Sequence, residues 1–213
     1  MTLVDLSHEF GDGRGAYPGV PQPKVRDHMS FDDSASHYAP GTEFSIKAFE
    51  MVANTGTYLD TPAHRRRDGF DLAGLGLEVV ANVPGVVIDA PGPPIDLDPG
   101  PMTGMAVLFR TGWSRHWGSP TYGAGGHPHL TRVAIDALVA AGPALVGIDS
   151  VNIDDTSDGE RPAHTALLAA GIPIVEHLTN LEALPRDRFR FFAVPPRFAG
   201  VGTFPVRAFA IVE

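Results

Sequence analysis

Short apolar runs, separated by polar and turn-forming residues, predict a strand-rich fold. Residues 44–48 alternate between apolar and polar side chains, which is typical of a half-buried strand. Three continuous apolar runs, at residues 86–89, 106–109 and 144–148, are typical of strands that are buried on both faces. The stretch 206–212 predicts a closing strand near the end of the chain.

Two segments carry the signals of helix boundaries. Thr131 is a good N-cap and Gly142 a good stop, so a helix is expected over residues 132–141. Pro162 suits a first helical turn and predicts a second, shorter helix over 162–171. Strands mixed with helices indicate an α/β fold, and the length of 213 residues indicates a single domain covering 1–213.

Composition excludes several classes of function. With 43% apolar residues the chain can bury a core, while the net charge of −9 argues against a nucleic-acid partner. The absence of cysteine excludes disulfides and thiolate chemistry. No apolar stretch approaches the roughly 20 residues of a membrane helix, and the first residues do not look like a signal peptide. We therefore expect a cytoplasmic protein without a membrane partner.

Polar side chains stand where predicted strands end, at Asp89, Arg110, Asp149 and Glu176. Ligands of open sheets gather at the carboxyl ends of parallel strands. A helix that starts near His164 descends about 10 Å, and the following strand climbs back about 16 Å to Glu176. His164 and Glu176 are therefore expected to meet at one edge of the sheet.

The most informative segment reads Asn54-Thr-Gly-Thr-Tyr58-Leu-Asp60-Thr-Pro-Ala-His64. It resembles the signature His-x-Gly-Thr-His-x-Asp-x-Pro-x-His of the cyclase family that includes the bacterial kynurenine formamidases. The Gly, Thr, Asp, Pro and final His stand at the family's spacing. Asn54 and Tyr58 replace two histidines that are metal ligands in the family.

The resemblance continues in the same order through most of the chain. Further matching segments are residues 5–7, 17–19, 107–113, 146–150, 162–164 and 174–181. It implies a mixed, barrel-like β-sheet with a few helices, of the swivelling β/β/α kind. It also implies a homodimer or higher homo-oligomer, in which the long segment 11–42 reaches toward a neighbouring subunit.

The resemblance implies a metal site made of Asp60, His164 and Glu176. One imidazole and two carboxylates suit a divalent ion such as zinc or manganese. The family's other site lacks its two imidazoles here, because Asn54 binds hard cations weakly and Tyr58 would need deprotonation. We expect at most one tightly bound metal per chain, and a site without metal remains the alternative.

Further roles are assigned to residues near the signature. His64 is the candidate general acid/base, as its counterpart is in the family, because an imidazole exchanges protons near neutral pH. Tyr58 either fills the volume of the lost ligand or donates a proton. Candidate substrate-binding residues are Asn54, Arg65, Asp149 and Trp113, with Arg65 suited to hold a carboxylate.

Three functions remain open from the sequence. The first is a metal-dependent hydrolase of a small amide, lactone or cyclic imide. The second is a cyclase, dehydratase or isomerase that transfers protons through His64 and Tyr58 with little or no need for metal. The third is a small-molecule binder without catalysis. In each case the partner is a small molecule.

Overall fold

The chain forms eleven strands and three α-helices within residues 1–15 and 17–212, which are the residues described in this computed structural model. The strands are β1 (Thr2–Asp5), β2 (Lys24–Met29), β3 (Ile46–Glu50), β4 (Tyr58–Asp60), β5 (Val83–Asp89), β6 (Ala106–Arg110), β7 (Leu145–Ile148), β8 (Ile174–Glu176), β9 (Phe189–Phe192), β10 (Thr203–Pro205) and β11 (Phe209–Val212). The helices are α1 (Phe31–Ala35), α2 (Arg132–Ala141) and α3 (Pro162–Ala169). Single 3₁₀ turns cover Pro62–His64, Leu77–Val79, Trp113–His116, Pro120–Gly123 and Leu181–Ala183.

Nine strands form one mixed sheet in the order β1-β11-β9-β5-β6-β7-β8-β4-β10. Strands β5 to β8 run parallel, and their outer neighbours are antiparallel. Ser7, just after β1, forms a bridge with Leu178, just after β8, and the Thr179 N–H donates to the Leu6 carbonyl at 3.0 Å. Because β1 and β8 are far apart in the strand order, this contact shows that the sheet curls back on itself. The expectation of an α/β fold with a barrel-like mixed sheet is confirmed.

Hydrophobic side chains fill both faces of the curled sheet. Leu108 and Leu145 belong to the cluster inside the curl. Val107 and Phe109 point the other way and join the cluster that also contains Leu138 of α2 and residues of α3. Successive residues of a strand therefore pack on opposite cores, which explains the uninterrupted apolar runs in the sequence.

Local signals set the bounds of α2. The Thr131 hydroxyl accepts the Ala134 N–H at 3.2 Å, and Gly142 ends the helix in the left-handed conformation with φ of 63°. The helix covers the predicted residues. Helix α3 ends at Ala169, two residues before the predicted stop at Gly171.

Other elements differ from the sequence prediction. The closing strand begins only at Phe209, because the Val206 N–H donates instead to the Thr57 carbonyl at 2.9 Å. The segment 11–42 is not one long loop, since it contains β2 and α1. Strand β2 pairs with β3 in a separate two-stranded sheet. Among the described residues, no helix is both long enough and apolar enough to cross a membrane.

Candidate active site

Two neighbouring strands place three polar side chains on the helix-facing side of the sheet. In the antiparallel pair of β4 and β8, Tyr58 lies opposite Glu176 and Asp60 lies opposite Ile174. The alternate residues Leu59 and Val175 point into the core inside the curl. Tyr58, Asp60 and Glu176 therefore share one face, and all three are almost fully buried.

His164 completes this group from the first turn of α3. Its Nε2 lies 3.7 Å from Asp60 Oδ2 and 3.7 Å from Glu176 Oε1. Its Nδ1 lies 2.7 Å from Asp154 Oδ2 and donates to that carboxylate. With Nδ1 held by Asp154, Nε2 is directed between Asp60 and Glu176, so His164 and Glu176 meet as predicted.

Asp154 also belongs to this group, although nothing in the sequence distinguishes it from other acids in the loop between β7 and α3. The residue is fully buried, and its carboxylate accepts the N–H groups of Ala163 at 2.6 Å and His164 at 3.1 Å. Arg161 stands at the N-cap position of α3 without a capping hydrogen bond from its side chain. Asp154 therefore caps the helix and orients its histidine in place of the missing cap.

The electrostatics of the group favour a cation. Burial alone would lower the pKa of His164, but Glu176, Asp154 and Asp60 together raise it to about 10. Asp60 Oδ2 is buried and has no hydrogen-bond partner among the described residues. Three buried carboxylates around one imidazole carry an excess of negative charge, so the residues fit a divalent metal ion.

Tyr58 lies beside the candidate metal ligands and is hydrogen-bonded to one of them. Its hydroxyl donates to Glu176 Oε2 at 2.6 Å. Burial, with the charges of Glu176 and Asp60, raises the pKa of Tyr58 well above its usual value. A neutral phenol is a poor metal ligand, and Asn54 supplies only an amide beside it. The residues present do not fit a second metal.

His64 is connected to Asp60 through Thr203. The Thr203 hydroxyl donates to Asp60 Oδ1 at 2.5 Å, because an ionised carboxylate only accepts. The Thr203 hydroxyl oxygen lies 2.6 Å from His64 Nδ1 and therefore accepts a hydrogen bond from the Nδ1–H group. Ligand atoms of Asp60, His64 and His164 also lie within 4.8 Å of one another, so His64 is an alternative third ligand. With Nδ1 committed to Thr203, Nε2 is the nitrogen of His64 that remains for proton transfer.

A cavity of about 510 Å³ opens beside these groups. It is lined by Tyr58, His64, His164 and Glu176. The predicted substrate-binding residues Asn54 and Arg65 also line it. Further lining residues, for which no role was predicted from the sequence, include Tyr17, Asn152 and Arg161. Tyr17 comes from the segment 11–42, where residues 17–19 match the family but the match alone did not place Tyr17 in the cavity.

Two predicted substrate-binding residues lie elsewhere. Asp149 accepts the N–H and hydroxyl of Thr111 on one oxygen and the N–H of Gly112 at 2.9 Å on the other. Trp113 donates its indole N–H to the Tyr122 carbonyl at 3.1 Å. Neither lines the cavity. Asp149 instead fixes the turn after β6, which uses both of its oxygens.

Known proteins resemble the chain over nearly its whole length. It is 28% identical over 215 residues to a kynurenine formamidase of Salinibacter ruber, covering 98% of this chain and 96% of that protein. It is 27% identical over 185 residues to a kynurenine formamidase of Maricaulis maris, covering 83% and 85%.

Solved structures share the fold. Isatin hydrolase A from Ralstonia solanacearum superposes with a TM-score of 0.83 at 24% identity, covering 100% of this chain and 92% of that one. A potential metal-dependent hydrolase with cyclase activity superposes with a TM-score of 0.78 at 22% identity, covering 98% and 96%. The family model described as "Putative cyclase" matches residues 4–155. The chain therefore belongs to the cyclase family.

Proposed function

We propose that this protein is a metal-dependent hydrolase of a small amide, lactone or cyclic imide. One observation carries the proposal: His164 Nε2 lies 3.7 Å from an oxygen of Asp60 and 3.7 Å from one of Glu176, while Asp154 holds its other nitrogen. This arrangement is typical of a histidine that is prepared to bind a metal. The family supports the same reaction class, because its relatives named above are formamidases and the structural neighbours include an isatin hydrolase.

Asp60, His164 and Glu176 would hold one divalent ion, with zinc and manganese as the expected candidates. Glu176 would bind through Oε1, since Tyr58 occupies Oε2. Oε1 already accepts the Ile153 N–H at 2.7 Å, which fixes its direction and leaves a lone pair. A bound divalent ion supplies Lewis-acid polarisation of a carbonyl and lowers the pKa of a bound water.

His64 acts as the general acid/base. Asp60 orients the Thr203 hydroxyl, which accepts a hydrogen bond from His64 Nδ1–H. Nε2 is therefore the nitrogen that takes a proton from a nucleophile and returns it to a leaving group. The ring is one-third exposed, unlike the buried His164, and it lines the cavity. His64 therefore transfers protons, and His164 binds the metal.

Metal analysis combined with turnover tests this function. We expect about one divalent ion per chain by elemental mass spectrometry, and turnover of a panel of formamides, lactones and cyclic imides that EDTA abolishes and added Zn²⁺ or Mn²⁺ restores. His64→Ala should lower kcat by about 10²- to 10⁴-fold while the metal stays bound. The exposed His28→Ala is the matched control.

Other outcomes would select the other functions. Turnover that is insensitive to chelator but lost in His64→Ala would contradict the metal-dependent hydrolase and favour proton-transfer chemistry with Tyr58. A panel compound that raises the melting temperature, with no turnover of any compound, would favour a binder.

We also propose that the protein assembles as a homodimer or higher homo-oligomer. The small sheet of β2 and β3 exposes Val25, Ile46 and Phe49, with 66% of Phe49 accessible. Light scattering coupled to size exclusion should give at least twice the chain mass of 22.6 kDa. A monomer at micromolar concentration would contradict this assembly.

A further inference from the structure

Two guanidinium groups face the same cavity as the candidate metal ligands. Arg65 follows His64 directly, and Arg161 precedes α3. Both line the cavity of about 510 Å³ together with Asn54 and Asn152. A volume of this size suits a small organic molecule. The same cavity therefore brings positive charge together with the candidate reactive groups.

Neither arginine forms an ion pair with a carboxylate of residues 1–15 and 17–212. Arg161 Nη1 donates to the Asp155 carbonyl at 3.2 Å. Arg65 donates through Nε to the Thr165 hydroxyl and through Nη2 to the Glu160 carbonyl, both at 3.2 Å. Several other arginines of this acidic chain do pair with acids: Arg14 with Glu9, Arg66 with Asp68, Arg132 with Glu160 and Arg207 with Asp5. Among the described residues, the two cavity arginines therefore keep guanidinium N–H groups that no carboxylate binds.

The Glu160 carboxylate shows how this comes about. It binds Arg132 on the outer surface of the protein. Only its backbone carbonyl reaches Arg65. The Glu160 carboxylate is thus engaged away from Arg65, which retains guanidinium donors for another acceptor.

Arg161 is held in an unfavourable backbone conformation. Its φ is 50° and its ψ is 61°, in the left-handed region that is unfavourable for residues other than glycine. The position lies at the N-cap of α3, where Ser, Thr, Asp or Asn would normally bind the helix. Because Asp154 caps the helix instead, the Arg161 side chain is not needed there.

We propose that Arg161, together with Arg65, binds a carboxylate on the substrate, so that the preferred substrates are amides, lactones or imides that carry this anionic group. This inference rests on the proposed function, since it assigns the substrate class of the same cavity. A planar guanidinium can bind a carboxylate through two parallel hydrogen bonds, which gives both affinity and orientation. The bound anion would hold the substrate in the cavity that His64 also lines.

The test compares two probes of nearly the same shape, the anion 2-formamidobenzoate and its neutral amide 2-formamidobenzamide. Binding is measured by isothermal titration calorimetry to protein that has been stripped of metal, with chromatography to verify that the probe stays intact. We expect the carboxylate to bind at least about tenfold more tightly, which corresponds to about 1.4 kcal/mol. This binding does not require turnover, so its failure is distinguishable from failure of the hydrolase.

Variants assign the effect to the arginine. In Arg161→Asn the preference for the carboxylate should fall by about tenfold or more, with binding of the neutral amide unchanged. Asparagine tolerates the left-handed conformation, so this variant should fold, and its melting temperature verifies that. Arg161→Lys should keep part of the preference. The exposed Arg197→Gln, which lies outside the cavity, is the control.

Three results would overturn the proposal: equal affinity of the two probes for the wild type, no binding of the carboxylate up to about 10 mM, or an unchanged preference in folded Arg161→Asn. If the probe binds as expected but the metal-loaded protein hydrolyses no amide, lactone or imide, the anion site stands and the hydrolase is contradicted.

Discussion

At the scale of single residues, the site is organised by which nitrogen of each histidine is already occupied. His164 gives Nδ1 to Asp154, and His64 gives Nδ1 to Thr203. In both rings the remaining Nε2 is available for a different task. Two residues outside the signature, Asp154 and Thr203, therefore decide the separate roles of the two histidines.

The first prediction concerns Asp154. Asp154→Asn keeps a side chain that can cap α3, but its amide no longer matches the His164 Nδ1–H as the carboxylate does. We expect the affinity for Zn²⁺ or Mn²⁺ to fall by about 10- to 100-fold with only a small change in melting temperature. Competition with a chelating dye measures the affinity.

The neighbouring Asp155→Asn is the matched control for that experiment. Asp155 is on the surface, where it accepts hydrogen bonds from Ser157. Equal metal affinity in Asp154→Asn and the wild type would show that the carboxylate does not orient the ligand.

The second prediction concerns the two substituted positions of the signature. Replacing Asn54 and Tyr58 together by histidine restores both imidazoles of the family's other metal site and removes the hydroxyl from Glu176. We expect the metal content to rise from about one to about two ions per chain by elemental mass spectrometry. The single variant Asn54→His should stay near one, and a double variant that folds but also stays near one would contradict this account of the lost site.

At the scale of elements, a close backbone approach positions the turn that carries His64. The Thr61 N–H donates to the Gly202 carbonyl at 2.8 Å, which joins the 3₁₀ turn Pro62–His64 to the chain just before β10. A Cβ atom on Gly202 would lie 2.4 Å from the backbone nitrogen of His64. Only glycine fits this approach, which brings Thr203 within reach of the imidazole.

The third prediction follows from that contact. In Gly202→Ala the turn must move away from β10, because the clash is with backbone atoms. Such overpacking costs about 1–3 kcal/mol, which corresponds to a fall of about 2–4 °C in melting temperature for each kcal/mol in a chain of this size. Gly159→Ala, where no atom lies within 4 Å of the new Cβ, should change little. Equal melting temperatures for the two variants would contradict the steric account.

Helices and strands differ in how far they can be predicted from the sequence. The bounds of α2 follow from Thr131 and Gly142, which act within the helix itself, and so they are predictable. The role of Asp154 depends on a helix that starts eight residues later. Arg161 at the N-cap position gives no sign in the sequence that a distant side chain caps this helix. Strand β4 has three residues, too few for a periodic pattern, and its partner β8 lies more than 100 residues away. Only the signature revealed that this strand carries the site.

At the scale of the whole molecule, an aromatic cluster joins three distant parts of the chain. His8 stacks on Trp117 with ring centroids 4.2 Å apart, and Trp117 also contacts Tyr122 and His177. The backbone N–H of His8 donates to the Thr57 hydroxyl at 3.0 Å. His8 Nε2 is buried without a hydrogen-bond partner among the described residues. Folding therefore places an imidazole where its charged form is poorly solvated.

The fourth prediction is that this cluster makes folding sensitive to acid. Burial lowers the pKa of His8 from 6.5 to about 4. As the pH falls below 6.5, His8 becomes protonated in the unfolded chain, whereas in the folded chain it stays neutral until about pH 4. The free energy of unfolding therefore decreases between pH 6.5 and pH 4. His8→Phe keeps the ring stack and removes the proton site. Its melting temperature should fall less between pH 7.5 and pH 5 than that of the wild type, by about 4–8 °C. The exposed His28→Gln should behave like the wild type. If the melting temperatures of His8→Phe and the wild type fall equally between pH 7.5 and pH 5, carboxylates or His177 cause the loss of stability in acid.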